Sequence, residues 1–571
     1  MSGVSTQVRE YKSFRGVDFS TRPDEVAYFR SPDALNMWRN YKNDNQSGGI
    51  ETRPDIEVIK EFDDKIYGIA FYDINGTKHR IVHAGTKLYD NEDVIYEQMA
   101  EHKSIFFIYD DILYFLDGSH YLQYDKTTVS EVVGYIPTTT TAKSPAGDGT
   151  IYQAVNILTD LRKNGFVADG SSREYILDVE SIDEDYTPKA WINDVETTDF
   201  TWTPGENKIT FRIAPSVPLT DGQPNVFIQF RKTTGNRSVL EKATLVTMFD
   251  TRIFLGGCPD TPNTIFHCSF TKDISSPCYF PDNCWYTDGL DQASIRGMVA
   301  GNNALWVFKE PNTEDTTIFY HNPVNNETYG KVYAPTPSSI STGCIGRAIN
   351  FNDDIVFFSD RGMEGISSDV TTEQVIAHRS TLIDTKLTTL DGYKDMILQE
   401  WRGYLFVIIG NKMFLADSKS KSKVNTEVQY DWFYWELTEK DKELNIDGTI
   451  VSDEIFYLYS DKKLYTLTKT DTNIVSYWCT LADEIGAPQY QKTTNKRGCV
   501  ADVEGKKITV YTKTDNNKFE KINTYTNVKG YIVPRIKKKK WKSLQLKFES
   551  NLPFVLYSCT LECYVGAYVK R

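Results

Sequence analysis

A chain of 571 residues with a net charge of −14 has room for about two to four domains, and its acidity argues against tight, non-specific binding of nucleic acid over the whole surface. Charged residues make up 25% and aromatic residues 13%, with 35 Tyr and 30 Phe against 8 Met. That is an ordered composition suited to pleated, half-buried surfaces, so an all-β fold is expected. No apolar run approaches the ~18 residues of a membrane-spanning helix, and the first twenty residues lack the apolar stretch of a secretory signal. The nine cysteines are scattered, odd in number and without a Cys-x-x-Cys, which suggests reduced thiols in a protein made in a cytoplasm. The spacings of 10, 10 and 6 among Cys258, Cys268, Cys278 and Cys284 match no zinc ribbon. Cys559 and Cys563 fall on one face of an expected strand, where packing accounts for them. No metal or cofactor is expected.

Residues 1–60 are rich in turn formers and are expected to pack irregularly on the body of the protein. Ser31-Pro32 has the form of a helix N-cap with proline at the first helical position, which predicts one short helix through Trp38. From residue 61 a unit of polar turn followed by a β-branched and aromatic run recurs. It is clearest in the stretch from Gly343 to Ile366, at FNDDIVFFSD. It is seen as FDDKIYGIAF around Ile66, YDDILYFLDG around Ile112 and FDTRIFLGG around Ile253. It returns as GNNALWVFKE around Leu305, at Ile355 in the stretch just given, as WRGYLFVIIG around Leu405 and as SDEIFYLYSD around Ile455. The intervals are 46, 141, 52, 50, 50 and 50 residues. Second hairpin strands follow at 121–124, 412–416 and 463–467. A period near 50 fits a four-stranded propeller blade, and seven signatures predict a β-propeller of six to seven blades over residues 61–136 and 241–470.

The long interval holds about 90 extra residues. It opens on the linker-like PTTTTAKSP and continues with alternating runs at 174–179, 200–202, 208–213 and 225–231. Pro-Gly and Asp-Gly turns separate them. A small β-domain over residues 137–240, inserted in a blade loop, is the expectation. Residues 471–571 keep strand patterning at 507–512, 531–534, 544–548 and 555–563 but lose the repeat, which predicts a C-terminal β-rich appendage.

Candidate chemistry is sparse. The seven histidines are dispersed, and His79 and His83 lie in a strand-like context that does not make a helical metal pair. No G-x-S-x-G, Walker, GxGxxG or HExxH motif occurs. The acidic pairs Asp63-Asp64, Asp110-Asp111 and Asp353-Asp354 invite comparison with propeller glycosidases. Their recurrence at equivalent places favours turn chemistry, since catalytic acids are singular. One dense basic run remains: Arg535, Lys537, Lys538, Lys539, Lys540 and Lys542. Its residues suit contact with DNA phosphates or an acidic subunit face, with Trp541 placed to stack. They equally suit a solvated strand whose lysines block edge pairing.

Several blocks resemble the tailed-bacteriophage stabilization, tail nozzle or tail tubular protein family. They are GVDFS at 16–20 with Asn36-Met37 and GGIETRP at 48–54, then VNILTDLRKNGF at 155–166 with Asp169-Gly170. NTIFHCS at 263–269 follows, with CYFP at 278–281, IRG at 295–297 and LWVFKE at 305–310. GCIGR at 343–347 with DRG at 360–362 completes the set. FTWTPG at 200–205 is also similar to small β-modules of phage tail proteins. The resemblance covers most of residues 14–365 and implies a structural virion protein of the tail or neck, without enzymatic activity, assembled in the host cytoplasm. It further implies a homohexameric ring below the portal that continues or closes the DNA channel and helps retain packaged DNA. Its partners would be copies of itself, portal or adaptor and other tail proteins, and, transiently, genomic double-stranded DNA. The rival reading is a tail-tip propeller that binds or hydrolyses host surface glycan. It predicts a cluster of carboxylates and tryptophans converging on one mouth of the propeller.

Overall fold

The computed structural model describes residues 5–41, 49–271, 274–326, 330–338, 340–368, 374–424, 427–470 and 473–568. Strands dominate. Among the described residues the helices are Arg237–Glu241, Asp384–Leu387 and the 3-10 turn Tyr393–Asp395. The chain divides into two compact units, one built from residues before 72 and after 338, the other from residues 72–338.

The repeat is a β-propeller blade: an antiparallel four-stranded meander in which each strand pairs with the next. The unit of residues 72–338 carries blades at Ile105–Tyr109 to Val129–Glu131, Leu245–Phe249 to Trp285–Thr287, and Ile295–Gly301 to Pro335–Pro337. The first blade runs from Ile66–Ile74, the strand that carries the chain into this unit, to Asp93–Tyr96. The other unit carries Ala348–Phe351 to Gln374–His378, Ile397–Trp401 to Glu427–Glu436, and Gly448–Ser452 to Lys463–Lys469. The last of these takes its fourth strand, Asp55–Glu61, from the N-terminal side. The described residues thus form seven four-stranded sheets, the upper of the two counts expected.

One local rule builds all seven. The first and second strands of each are joined by two residues in the left-handed region. These are Asn75-Gly76, Asp110-Asp111, Asp250-Thr251, Asn302-Asn303, Asn352-Asp353, Arg402-Gly403 and Asp453-Glu454, with φ between 46° and 81°. Two successive positive φ values match the right-handed twist of a hairpin, and Asn, Asp and Gly tolerate them best. This corrects the reading of the acidic pairs in detail. Asp63-Asp64 is no hairpin turn: it joins the closing strand of the seventh blade to the first strand of the first. The signature at Ile66 is therefore one strand out of phase with the other six, which explains its odd interval of 46. Asp354 is not a turn residue either. It opens the second strand and accepts hydrogen bonds from Arg379 Nε and from the Tyr430 hydroxyl, each at 2.9 Å.

The insertion between the second and third blades forms a six-stranded sheet and a three-stranded sheet. They enclose a core of Phe166, Tyr175, Ile209, Phe211, Ile228 and Phe230. Asn156 roots it in its unit. The fully buried side chain donates to the carbonyls of Tyr135 at 2.9 Å and Cys278 at 2.8 Å, and accepts from the amides of Leu158 and Phe280. The VNILTDL and CYFP blocks therefore meet at one amide.

After residue 470 the chain builds a ten-stranded sheet around the 25-residue strand Tyr490–Thr514. Four strands of that sheet come from the N-terminal segment: Ser5–Lys12, Ala34–Leu35, Met37–Trp38 and Ile50–Thr52. The expected helix through Trp38 is absent. Asn36 sits at φ 56° between two short strands, and its side chain is spent on tertiary bonds. Its amide nitrogen donates to the Val475 carbonyl at 2.9 Å, while its oxygen accepts from Arg53 Nε at 2.8 Å and the Glu436 amide at 3.0 Å. Arg53 is 2% exposed and also donates to the carbonyls of Pro54 at 2.8 Å and Glu436 at 3.0 Å. Burial lowers its guanidinium to about 10 despite the opposing influence of Asp55. The Asn36-Met37 and GGIETRP blocks thus clasp the outer strand of the sixth blade. Gly48 of the latter lies outside the described residues. Arg53→Ala leaves buried acceptors without a donor and is expected to destabilise the protein by about 3 kcal/mol, read as a lowered melting temperature.

In the fifth blade His378 bridges Glu364 through Nδ1 at 3.1 Å and Asp384 through Nε2 at 2.6 Å. Burial alone would lower its pKa, but hydrogen bonds to the two carboxylates outweigh it and hold the imidazolium up to about 9. A raised folded-state pKa stabilises fully below the unfolded value of about 6.5 and loses that contribution as pH rises through about 9. Melting temperatures taken from pH 6 to pH 10 should show this decline in the native chain and a flatter profile in His378→Gln.

Candidate functional site

A cleft of about 820 Å³ opens within the unit that holds the fifth to seventh blades. Three stretches far apart in sequence line it. The N-terminal segment supplies Trp38 and Glu51. The inter-strand turns of the sixth and seventh blades supply Trp401, Arg402, Asp453 and Glu454. The C-terminal sheet supplies Glu504, Lys506, Asn527 and Val528.

The floor is aromatic. Trp38 stacks on Trp401 with ring centres 5.7 Å apart and planes 9° apart, and meets Trp435 edge-on at 5.2 Å. Such pairs add about 1 kcal/mol each beyond the area they bury. Trp401 is fixed by its indole N–H, which donates to the Glu454 carbonyl at 2.7 Å. That bond couples the turn of one blade to the turn of the next. Arg402 lies over the Trp401 ring at 4.2 Å, a cation–π contact. It occupies the left-handed position at φ 49° that other blades give to Asn or Asp. Burial lowers its guanidinium from the ordinary value, with Glu454 and Glu51 opposing the shift. The buried Arg402 Nε and Trp38 Nε1 make no hydrogen bond to protein.

The wall is acidic, with Glu51, Asp453, Glu454 and Glu504 among the lining residues. The Tyr557 hydroxyl donates to Glu504 at 3.4 Å and Lys529 lies 3.9 Å from it. Chemically the cleft offers carboxylate acceptors and a guanidinium beside them, held over a buried tryptophan stack. Among the described residues no three His, Cys, Asp or Glu side chains are grouped to hold a metal ion. Nor are the cysteines poised to react: all nine are free, and burial pushes the Cys258 and Cys284 thiols up to about 12.

The basic run lies elsewhere, in the C-terminal sheet. Arg535, Lys537, Lys539, Lys540 and Lys542 are exposed, and Lys538 is half-buried against Glu520 at 2.6 Å. Trp541, expected to stack on a ligand, is instead 1% exposed and packs inward beneath Lys492. Lys540 has left-handed backbone at φ 58° and breaks the alternation, so Lys539 and Lys540 are both exposed and the indole that follows turns inward. Sequence reasoning missed the cleft, because its walls are separated by hundreds of residues. Its one local trace was Arg402-Gly403, where a turn otherwise built from Asn and Asp carries an arginine.

No family model and no curated protein sequence matches the chain. Among solved structures it is similar to BamB from Moraxella catarrhalis, with 10% identity over 72% of this chain and 97% of that one, at a TM-score of 0.30. It is also similar to an exo-beta-1,3-galactanase from Phanerochaete chrysosporium bound to galactose, with 7% identity over 82% and 97% at a TM-score of 0.19. A further glycoside hydrolase shows 8% identity over 87% and 97%, again at 0.19. Two of these three are enzymes that act on glycans, and the expectation of a chain without enzymatic activity is withdrawn on that finding.

Proposed function

We propose that the chain engages host surface glycan, as a tail-tip propeller that binds or hydrolyses the polymer in the cleft between the sixth and seventh blade turns and the C-terminal sheet. One observation carries this reading: Arg402 and four acidic residues, Glu51, Asp453, Glu454 and Glu504, line a single cleft above the buried Trp38–Trp401 stack. Sugars present hydroxyl hydrogens to carboxylates, and an arginine donates to ring and hydroxyl oxygens. Cleavage of a glycosidic bond needs two such acids, and the cleft provides four from which to draw them. The tailed-phage setting is supported by the sequence blocks alone.

Polysaccharides from the host surface, screened for binding and for release of reducing sugar, test the reading. Glu454→Gln and Glu504→Gln should each weaken binding about tenfold, the worth of a hydrogen bond to a charged group, and any hydrolysis should fall with them. A native chain that binds none of the polymers and releases no sugar overturns it.

A second reading is the ring subunit below the portal. In its favour, Asp55–Glu61 ends the sheet of the seventh blade, and its Val58 and Ile59 are exposed side by side, 45% and 39%. A bare edge of this kind is a template for another strand. On that reading mass photometry finds a closed oligomer, and Val58→Lys with Ile59→Lys reduces it to the monomer.

A further inference from the structure

The strand Glu520–Ile532 leaves the cleft carrying an unusual surface. From Asn527, which lines the cleft, to Lys539 every odd-numbered side chain is exposed, while Ile532, Pro534 and Ile536 are buried. The exposed face runs Asn, Lys, Tyr, Val, Arg, Lys, Lys. It is up to about 40 Å long if fully extended. Tyr531 is 76% exposed and Val533 43%. A second pair of exposed cations, Lys496 and Arg497, occupies the bulge where the long strand shifts register between Thr494 and Cys499. That bulge is tied to the same stretch: the Thr494 amide donates to the Lys538 carbonyl at 2.9 Å, and its hydroxyl donates to the Ile536 carbonyl at 3.0 Å and accepts from the Lys538 amide at 2.9 Å.

The acids nearby are already engaged at the margins. Glu520 holds Lys538 at 2.6 Å, Glu484 lies 3.5 Å from Lys542, and Glu504 lies 3.9 Å from Lys529. Among the described residues no carboxylate forms an ion pair with Arg535, Lys537, Lys539 or Lys540. On a chain of net charge −14, a line of unneutralised cations beside an exposed tyrosine marks a surface for a polyanion. The line begins on a residue of the cleft, so the polymer in the cleft is its natural occupant. A tyrosine face suits a sugar ring and the cations suit its acidic substituents.

We infer that the face from Asn527 to Lys539, with Lys496 and Arg497, extends the cleft into a binding track for an anionic polysaccharide. This rests on the glycan reading of the cleft and names the polymer class: acidic, bearing carboxylate or other anionic groups along its length. The track supplies salt-sensitive capture, and the cleft supplies recognition of individual sugars.

The test compares the full chain, the triple variant Arg535→Ser, Lys537→Ser and Lys539→Ser, and the cleft variant Glu454→Gln. Each is titrated with polygalacturonate, with a neutral galactan and with a random-sequence DNA duplex at low and high salt. The triple variant changes only exposed side chains, and its melting temperature should match the native one. Polygalacturonate binding is expected to weaken at least about tenfold in the triple variant and to lose most of its salt dependence, with galactan binding unchanged. Equal polygalacturonate affinity in native and triple-variant chains overturns the track, as does no native binding or a duplex bound as tightly as the polysaccharide. If the cleft reading alone fails, the signature differs: galactan is not bound and Glu454→Gln changes nothing, while the triple variant still loses polygalacturonate.

Discussion

A single buried guanidinium organises the unit that carries the candidate site. Arg53 is held among an asparagine oxygen and two backbone carbonyls with almost no contact with water. A charge in such a place is tolerated only when its donors are matched, so the surrounding backbone has little freedom to move. Asn36, the Glu436 end of the sixth blade and the start of the closing strand Asp55–Glu61 are fixed together. Trp38, two residues beyond Asn36, is thereby set against Trp401, and Glu51, two residues before Arg53, is set on the wall of the cleft. The positions of the cleft's N-terminal residues follow from satisfying one cation.

The second organising device is the two-residue turn. Seven copies of a hairpin with paired left-handed residues need only Asn, Asp or Gly to form. At most blades that chemistry is spent on the turn. At the sixth and seventh the same positions carry Arg402, Asp453 and Glu454, whose side chains line the cleft. A repeat thus provides equivalent positions in every blade, and site chemistry arises where one copy departs from the requirements of the turn. The arginine is the clearest departure, because a long, branched side chain gains nothing from a left-handed backbone.

This explains what could be read in advance. The blades were legible because alternation, turn residues and period are local, and six of the seven signatures fall on the same strand of their blade. The signature at Ile66 misled because Phe62 to Ile66 imitates the turn-and-strand pattern at the junction of two blades. The helix through Trp38 misled because Ser-Pro is a local signal, whereas Asn36 answers to Arg53, Glu436 and Val475, partners distant in the chain. Trp541 was placed outside by its lysine neighbours, and period-two alternation counted from the buried Ile536 puts it there as well; Lys540, with left-handed backbone at φ 58°, breaks that alternation and turns the indole inward. The cleft could not be read at all, since it exists only where residues near 40, 400, 450 and 500 meet.

The closing strand Asp55–Glu61 pairs with Lys463–Lys469 across some four hundred residues of chain. During synthesis that strand emerges early and waits, its hydrogen-bonding edge and apolar side chains unmatched, until the seventh blade has been made. The entropy of so long a closure is met late and all at once. Ser5–Lys12, which pairs with Phe554–Tyr568, waits longer still. Folding of this chain therefore finishes by joining its two ends, and a nascent chain halted short of residue 469 has no complete seventh blade.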